Sequence, residues 1–237
     1  QALSYAMPYE DIIKIGASGR GTQSHGSAPN GVFPYSEDVK QYSYDLEKAK
    51  ELLKEAGYEG GGFSLRLTYA SENSTEETFA PLIKDSFAQI GVDVTIEPLQ
   101  FREQWTLAKT DPATAQDIFL LLYWPTYSDA GADNLWSMFY GTAEAPHLNA
   151  TKFNLSYWYN EQYNALMDEA SGLSGTDLAA SLAKYTEAQN LLVEEAPAAF
   201  LFDTKVAVVV PNDITGFQYN LNYPDVRFWF YDLRSVQ

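Results

Sequence analysis

Three stretches decide the fold: Phe63-Ser64-Leu65-Arg66-Leu67-Thr68-Tyr69, Val92-Asp93-Val94-Thr95-Ile96-Glu97-Pro98 and Asp117-Ile118-Phe119-Leu120-Leu121-Leu122-Tyr123. The first two alternate between apolar and polar residues, the mark of half-buried strands. The third is a continuous apolar run, expected of a strand covered on both faces. Between the first two, Ser74 and Glu77 stand at capping-box spacing and open a helix over 75–90. Its apolar face is Phe79, Ile83, Phe87 and Ile90, and Gly91 stops it. A short helix over 100–109 leads to the third strand. Strand, helix, strand, helix, strand at this spacing predicts parallel βαβ units and an α/β fold.

Upstream, Pro8 opens a short helix over 8–15, and residues 16–44, rich in Gly, Ser, Pro and Tyr, read as a long irregular segment. Asp45 caps a helix over 45–56 whose apolar stripe is Leu46, Ala49, Leu53 and Ala56, with Gly57 ending it. Downstream, helices are expected near 133–140, 160–171 with Asn160 as cap, and 176–195 with Thr176 as cap. Short strands are expected near 198–202, 206–210, 216–220 and 227–233.

The 237 residues hold 15 Lys+Arg against 32 Asp+Glu, a net charge of −17. A polyanion would be repelled, so nucleic acid is not an expected partner. There is no cysteine, which removes disulfides, zinc–thiolate sites and thiol nucleophiles. No run is long and apolar enough to span a bilayer. Aromatics reach 15%, with 17 Tyr, 13 Phe and 5 Trp, and Tyr and Trp offer polar handles suited to a binding cleft.

Ligands bind outside the carboxyl ends of strands in open parallel sheets. The segment leaving the third strand carries Tyr123, Trp124, Tyr127, Asp129 and Asp133, a mixture of flat apolar faces and carboxylates fit for a small-molecule cleft. The bland alternative is that Trp124 completes the core while Asp129 and Asp133 cap turns. A second cluster, Tyr157-Trp158-Tyr159, cannot face one core with all three rings, so at least one is exposed. The loop 71–74 precedes a helix N-terminus that could hold an anion, but capping explains its residues better. The histidines, His25 and His147, lack metal-ligand spacing. No nucleophile elbow, Walker loop or dinucleotide fingerprint occurs. No catalytic residue, metal site or cofactor is expected.

Several stretches carry a family likeness in consistent order: Gln1–Ile13 (QALSYAMPYEDII), Tyr44–Tyr58 (YDLEKAKELLKEAGY), Ile90–Leu99 (IGVDVTIEPL), Asp117–Trp124 (DIFLLLYW), Asn154–Ala170, Tyr185–Ala199 (YTEAQNLLVEEAPAA) and Asp213–Asn220. The chain resembles the second lobe of the family-5 extracellular solute-binding proteins, the peptide-, nickel- and oligosaccharide-binding receptors of ABC importers. The resemblance implies a type II periplasmic-binding-protein-like lobe: a mainly parallel sheet flanked by helices, with mixed C-terminal strands. It implies a hinge-proximal segment over 1–44, the lobe over 45–210, and strands over 211–237 returning toward a first lobe that would precede Gln1. The expected partners are a peptide or other small solute, that first lobe, and an ABC permease. The expected place is the periplasm or outer cell face, with a membrane tether (as in a lipoprotein) through a preceding segment.

The implied ligand wall is Tyr123, Trp124, Tyr127, Asp129, Asp133 and Trp158. Many peptide-binding relatives place an Asp three residues after the tryptophan, where it holds the ligand's ammonium. Here that position is Tyr127, which favours stacking on a sugar or apolar surface unless Asp129 takes over the charge. An oligosaccharide receptor is therefore an open alternative. From other classes, a secreted hydrolase with an acid pair among Asp129, Asp133 and distant Glu residues, or an aromatic interaction module, also stay open.

Overall fold

The computed structural model describes residues 1–123, 131–143, 153–205, 207–220 and 232–235. The sheet forms as its alternation dictates. Strand β2 (Phe63–Ala70) pairs in parallel with β3 (Val92–Leu99), from Phe63 opposite Val92 to Ala70 opposite Leu99. It pairs on its other side, also in parallel, with β4 (Ile118–Phe119), giving the order β3-β2-β4. Pro98, which has no N–H to donate, sits in β3 at one edge, where the loss is tolerated.

Helix α4 (Ser74–Ala88) crosses between β2 and β3 and buries Phe79, Ile83 and Phe87, followed by Ile90, against Leu67, Val92 and Val94. Gly91, at φ 78°, makes the turn into β3. Its N-cap corrects the expected one. Asn73 Oδ1 accepts from the amides of Thr75 (3.1 Å) and Glu76 (3.2 Å), while Ser74 is the first helical residue. The capping-box spacing is present one residue earlier, as Asn73 and Glu76.

The third strand is also shorter than expected. Only Ile118 and Phe119 enter the ladder, at the sheet edge among the described residues. Backbone bonds extend it by one residue each way, Asp117 N to Arg66 O (3.1 Å) and Leu120 N to Thr68 O (2.9 Å). Beyond that, the Leu122 amide is captured by the carboxylate of Glu76 at 2.8 Å, so the chain leaves the sheet. Helix α5 (Phe101–Thr110) covers this edge, and Gln104 Nε2 donates to Thr68 O (3.1 Å) and Leu120 O (3.0 Å).

Helix α3 (Leu46–Glu55) is capped by Asp45, which accepts from Lys48 N at 2.9 Å. Ala49 and Leu53 bury its stripe, and Gly57 follows the helix at φ 87°. Helices α1 (Ala2–Tyr5) and α2 (Tyr9–Asp11) precede it, and Ala6, Met7, Tyr9 and Ile12 join the sheet core. The helix expected over 8–15 is thus interrupted. Its second half, Ile12–Gly16, is a π-helix.

A second core forms between α6 (Glu161–Leu173), capped by Asn160 as expected, and α7 (Leu178–Glu195). Asp177 rather than Thr176 caps α7, accepting from Ala180 N at 3.0 Å. The helix expected over 133–140 is π-helical over Gly131–Ser137.

The C-terminal strands differ most. Residues 198–202 form no strand. Ala198 and Phe200 pack on the α6–α7 core, while Ala199, Leu201 and Phe202 pack on the sheet core. The run is apolar throughout, Ala198-Ala199-Phe200-Leu201-Phe202, because the chain passes between two cores and packs on both. The strand follows it: β5 (Asp203–Thr204) pairs antiparallel with β1 (Gly21–Thr22). Residues 207–210 lie outside any sheet, and β6 (Ile214–Thr215) pairs with β7 (Arg234–Ser235), ahead of the expected 216–220. The strand expected over 227–233 falls almost wholly outside the described residues.

Candidate functional site

The carboxyl ends of β2 and β4 open onto a cleft of about 510 Å³. Its floor and walls come from Gly16 at the end of the π-helix Ile12–Gly16 and Ala17 after it, Thr75 and Thr78 in the first turns of α4, Leu122 beyond β4, and Phe202 beside β5. This is where an open parallel sheet offers ligands free backbone ends and loop side chains.

Glu76 organises this end of the sheet. Its side chain is fully buried, and both oxygens are used. Oε2 accepts from Ala70 N at 2.9 Å, the last residue of β2. Oε1 accepts from Leu122 N (2.8 Å) and Asn73 Nδ2 (3.0 Å). Burial pushes its pKa above the ordinary carboxylate value, and the three hydrogen bonds oppose that shift. One carboxylate thereby fixes the end of one strand, the exit of another and the start of a helix. Capping-box spacing from Ser74 points to Glu77 rather than to Glu76. The signal that would have found it is the Asn73–Glu76 spacing at the end of a strand.

Of the expected ligand wall, Tyr123, Asp133 and Trp158 are described; Trp124, Tyr127 and Asp129 lie outside the described residues. Tyr123 Oη donates to Asp133 Oδ1 at 2.7 Å, across the two ends of the segment that joins β4 to the π-helix. Asp133 is buried there. Trp158 sits apart from this pair. Its ring meets Tyr163 edge-on at 5.0 Å between centroids, in the α6–α7 core. Tyr163 in turn donates to Leu135 O at 3.0 Å, tying that core to the π-helix. Burial raises the Tyr163 pKa well above its ordinary value, so it is a neutral donor. Among the three adjacent aromatics, Tyr157 and Trp158 are half-buried and Tyr159 is exposed. Asn154, fully buried, anchors their loop by donating to Trp158 O at 2.9 Å.

His25 is bound to Val39 O through Nδ1 at 2.8 Å, and His147 lies outside the described residues. Among the described residues no group of three or more His, Cys, Asp or Glu side chains could hold a metal ion, and no helix is long and apolar enough to cross a membrane.

A parallel sheet with a ligand-sized cleft at its carboxyl end, braced by a buried carboxylate, defines an α/β binding module of the periplasmic-binding-protein type. Residues 1–146 match the family described as bacterial extracellular solute-binding proteins, family 5 Middle, and the chain belongs to that family. Among curated proteins it is 30% identical over 234 residues to the glutathione-binding protein GsiB of Pectobacterium atrosepticum, covering 98% of this chain and 43% of that protein. It is 32% identical over 203 residues to heme-binding protein A of Haemophilus influenzae, covering 83% of this chain and 34% of that protein. The chain therefore spans less than half the length of these relatives. The fold is shared with the periplasmic binding protein DppA of Helicobacter pylori, solved with the peptide STSA, at a TM-score of 0.77, 23% identity and coverage of 100% of this chain and 43% of that one. It is likewise shared with HbpA2 of Haemophilus parasuis, at a TM-score of 0.79, 22% identity and coverage of 99% and 44%. The family and these neighbours are binding proteins.

Proposed function

We propose that the chain forms one ligand-binding lobe of an extracellular solute receptor that delivers its solute, most simply a peptide, to an ABC importer. The observation that carries this reading is the cleft at the carboxyl ends of β2 and β4 in a member of the family-5 solute-binding proteins. Residues 45–210 form the lobe, 1–44 lie toward the hinge, and 211–237 run toward a first lobe. Tyr123, Trp124, Tyr127, Asp129, Asp133 and Trp158 are proposed as a ligand wall beyond that cleft, although none of the three described among them lines it and Trp158 packs in the α6–α7 core. Within this wall, the Asp133 carboxylate fixes the Tyr123 ring by their hydrogen bond, leaving Asp129 as the candidate for a ligand ammonium. Closure around the solute is a hinge motion of two lobes, and the closed form is what a permease recognises. The site of action is the periplasm or outer cell face, and a membrane tether belongs to the same reading.

The relatives' names supply two solutes to try, glutathione and heme, and the solved neighbour a third, a short peptide. The test is equilibrium dialysis of the full-length protein against these solutes, with mass spectrometry of both compartments. Retention of an unaltered solute supports a receptor. Conversion of a peptide or glycoside, lost in Asp129→Asn with binding intact, would replace the receptor with a hydrolase.

A further inference from the structure

One end of the cleft carries a charge pattern at odds with the rest of the chain. Acids outnumber bases by 32 to 15, yet none of the described residues lining the cleft is Asp or Glu, and two are cationic, Arg20 and Lys205. Their positions follow from the β1–β5 ladder. Gly21 stands opposite Thr204, and Lys205 N donates to Arg20 O at 2.9 Å, which carries the antiparallel register one pair further. Arg20 and Lys205 are thus direct cross-strand neighbours. Like charges so placed destabilise a strand pair unless something compensates them. Neither side chain has an ion-pair partner among the described residues. The lysines of α3 and Lys184 of α7, by contrast, each meet a glutamate. Asp203, two residues before Lys205, is already engaged by Ser24 Oγ (2.9 Å) and Asn30 N (3.1 Å).

We propose that Arg20 and Lys205 form an anion subsite that takes a carboxylate or phosphate group of the bound solute, an inference that rests on the receptor reading for what the rest of the cleft holds. A planar guanidinium and an ammonium on adjacent chains suit an oxyanion, the first as a fork and the second as a point charge. The first turn of α4 borders the same space, but the Thr75 and Glu76 amides are already taken by Asn73, so the basic pair supplies the binding. The solute class is accordingly anionic at one end.

The test titrates the full-length protein by calorimetry with sodium acetate, inorganic phosphate, glutathione and glutathione dimethyl ester. The variants are Arg20→Gln, Lys205→Gln, the double variant, and Lys84→Gln as a charge control on an exposed face of α4. Thermal melts check that each variant is folded. Acetate or phosphate should bind the wild type in the millimolar range, more weakly as salt is raised, and whichever binds tighter identifies the oxyanion. Each single change should weaken that binding about tenfold, the double change should abolish it, and the control should leave it unchanged. Absence of anion binding by the wild type, or equal binding by the double variant, overturns the subsite. Glutathione binding that is indifferent to esterification and to both substitutions overturns it too, while leaving the receptor reading intact. Anion binding lost in the double variant, with no solute retained in dialysis, supports the subsite and removes the receptor reading instead.

Discussion

Replacing Glu76 by Ala should loosen the end of the sheet that bears the cleft. The substitution leaves the Ala70 and Leu122 amides without their acceptor and Asn73 Nδ2 without its partner. An unsatisfied buried donor costs about 1–3 kcal/mol, and Leu122, only half-buried, falls at the lower end. Two such losses come to about 2–4 kcal/mol. Relief from burying a carboxylate returns part of this, so the net destabilisation expected is about 2 kcal/mol. For a chain of this size that lowers the melting temperature by about 4–8 °C, readable by circular dichroism. Glu76→Gln keeps one acceptor and the side-chain shape, so it should cost about half as much.

The same group makes a signed prediction in pH. Burial raises the folded-state pKa of Glu76 above its ordinary value of 4.5. The folded chain therefore holds this proton more tightly than the unfolded chain does, and the group's contribution to stability grows as pH falls through the raised value. It levels off below the unfolded value. Wild type should gain stability relative to Glu76→Gln, which cannot titrate, across that window. A Glu76→Ala protein within about 0.5 kcal/mol of wild type, a change ordinary at uncoupled surface positions, would refute the clamp. A stability gap to Glu76→Gln that moves the other way with pH would refute the electrostatic account.

Asn73→Ala should cost about 1 kcal/mol by removing the α4 cap while Ser74→Ala should cost almost nothing, and urea unfolding of the pair decides which residue caps the helix. Gly91→Ala should destabilise by more than about 2 kcal/mol, because a Cβ there meets Gly60 O at a left-handed φ. Gly57→Ala, left-handed but with open space around it, should cost only about 1 kcal/mol in the same melts. Tyr163→Phe should cost about 1 kcal/mol by removing the buried hydrogen bond to Leu135 O, and a loss below about 0.3 kcal/mol would mean that this bond does not tie the π-helix to α6.

The parallel core was legible because its periodicities are strong and local. The Phe79, Ile83, Phe87 and Ile90 stripe is buried throughout, β2 and β3 begin where the alternation begins, and Asp45 and Asn160 cap the helices they precede. Capping misled where two candidates sat side by side, Asn73 and Ser74 or Thr176 and Asp177, because the choice depends on backbone conformation rather than residue type. Length misled at β4. An apolar run records burial, but its hydrogen-bond partner can be a side chain from elsewhere, and Glu76 is that partner. The strand expected near 198–202 is absent, because an apolar run that packs on two cores needs no hydrogen-bonded partner strand. In the site, Tyr123 and Asp133 lie ten residues apart and meet, a pairing no periodicity encodes. Arg20 and Lys205 are brought together by a two-residue ladder too short to read from sequence.

The central claim is that this lobe holds a solute without transforming it. Calorimetric titration of the full-length protein with the solute recovered by dialysis, in wild type and Trp124→Ala, tests it most directly. The account predicts saturable one-to-one binding, recovery of the solute unchanged, and at least tenfold weaker binding in Trp124→Ala with the melting temperature little altered. A variant whose melting temperature falls sharply while its affinity holds would make Trp124 part of the scaffold. Failure of the wild type to bind any solute, or release of a converted product, would contradict the claim itself.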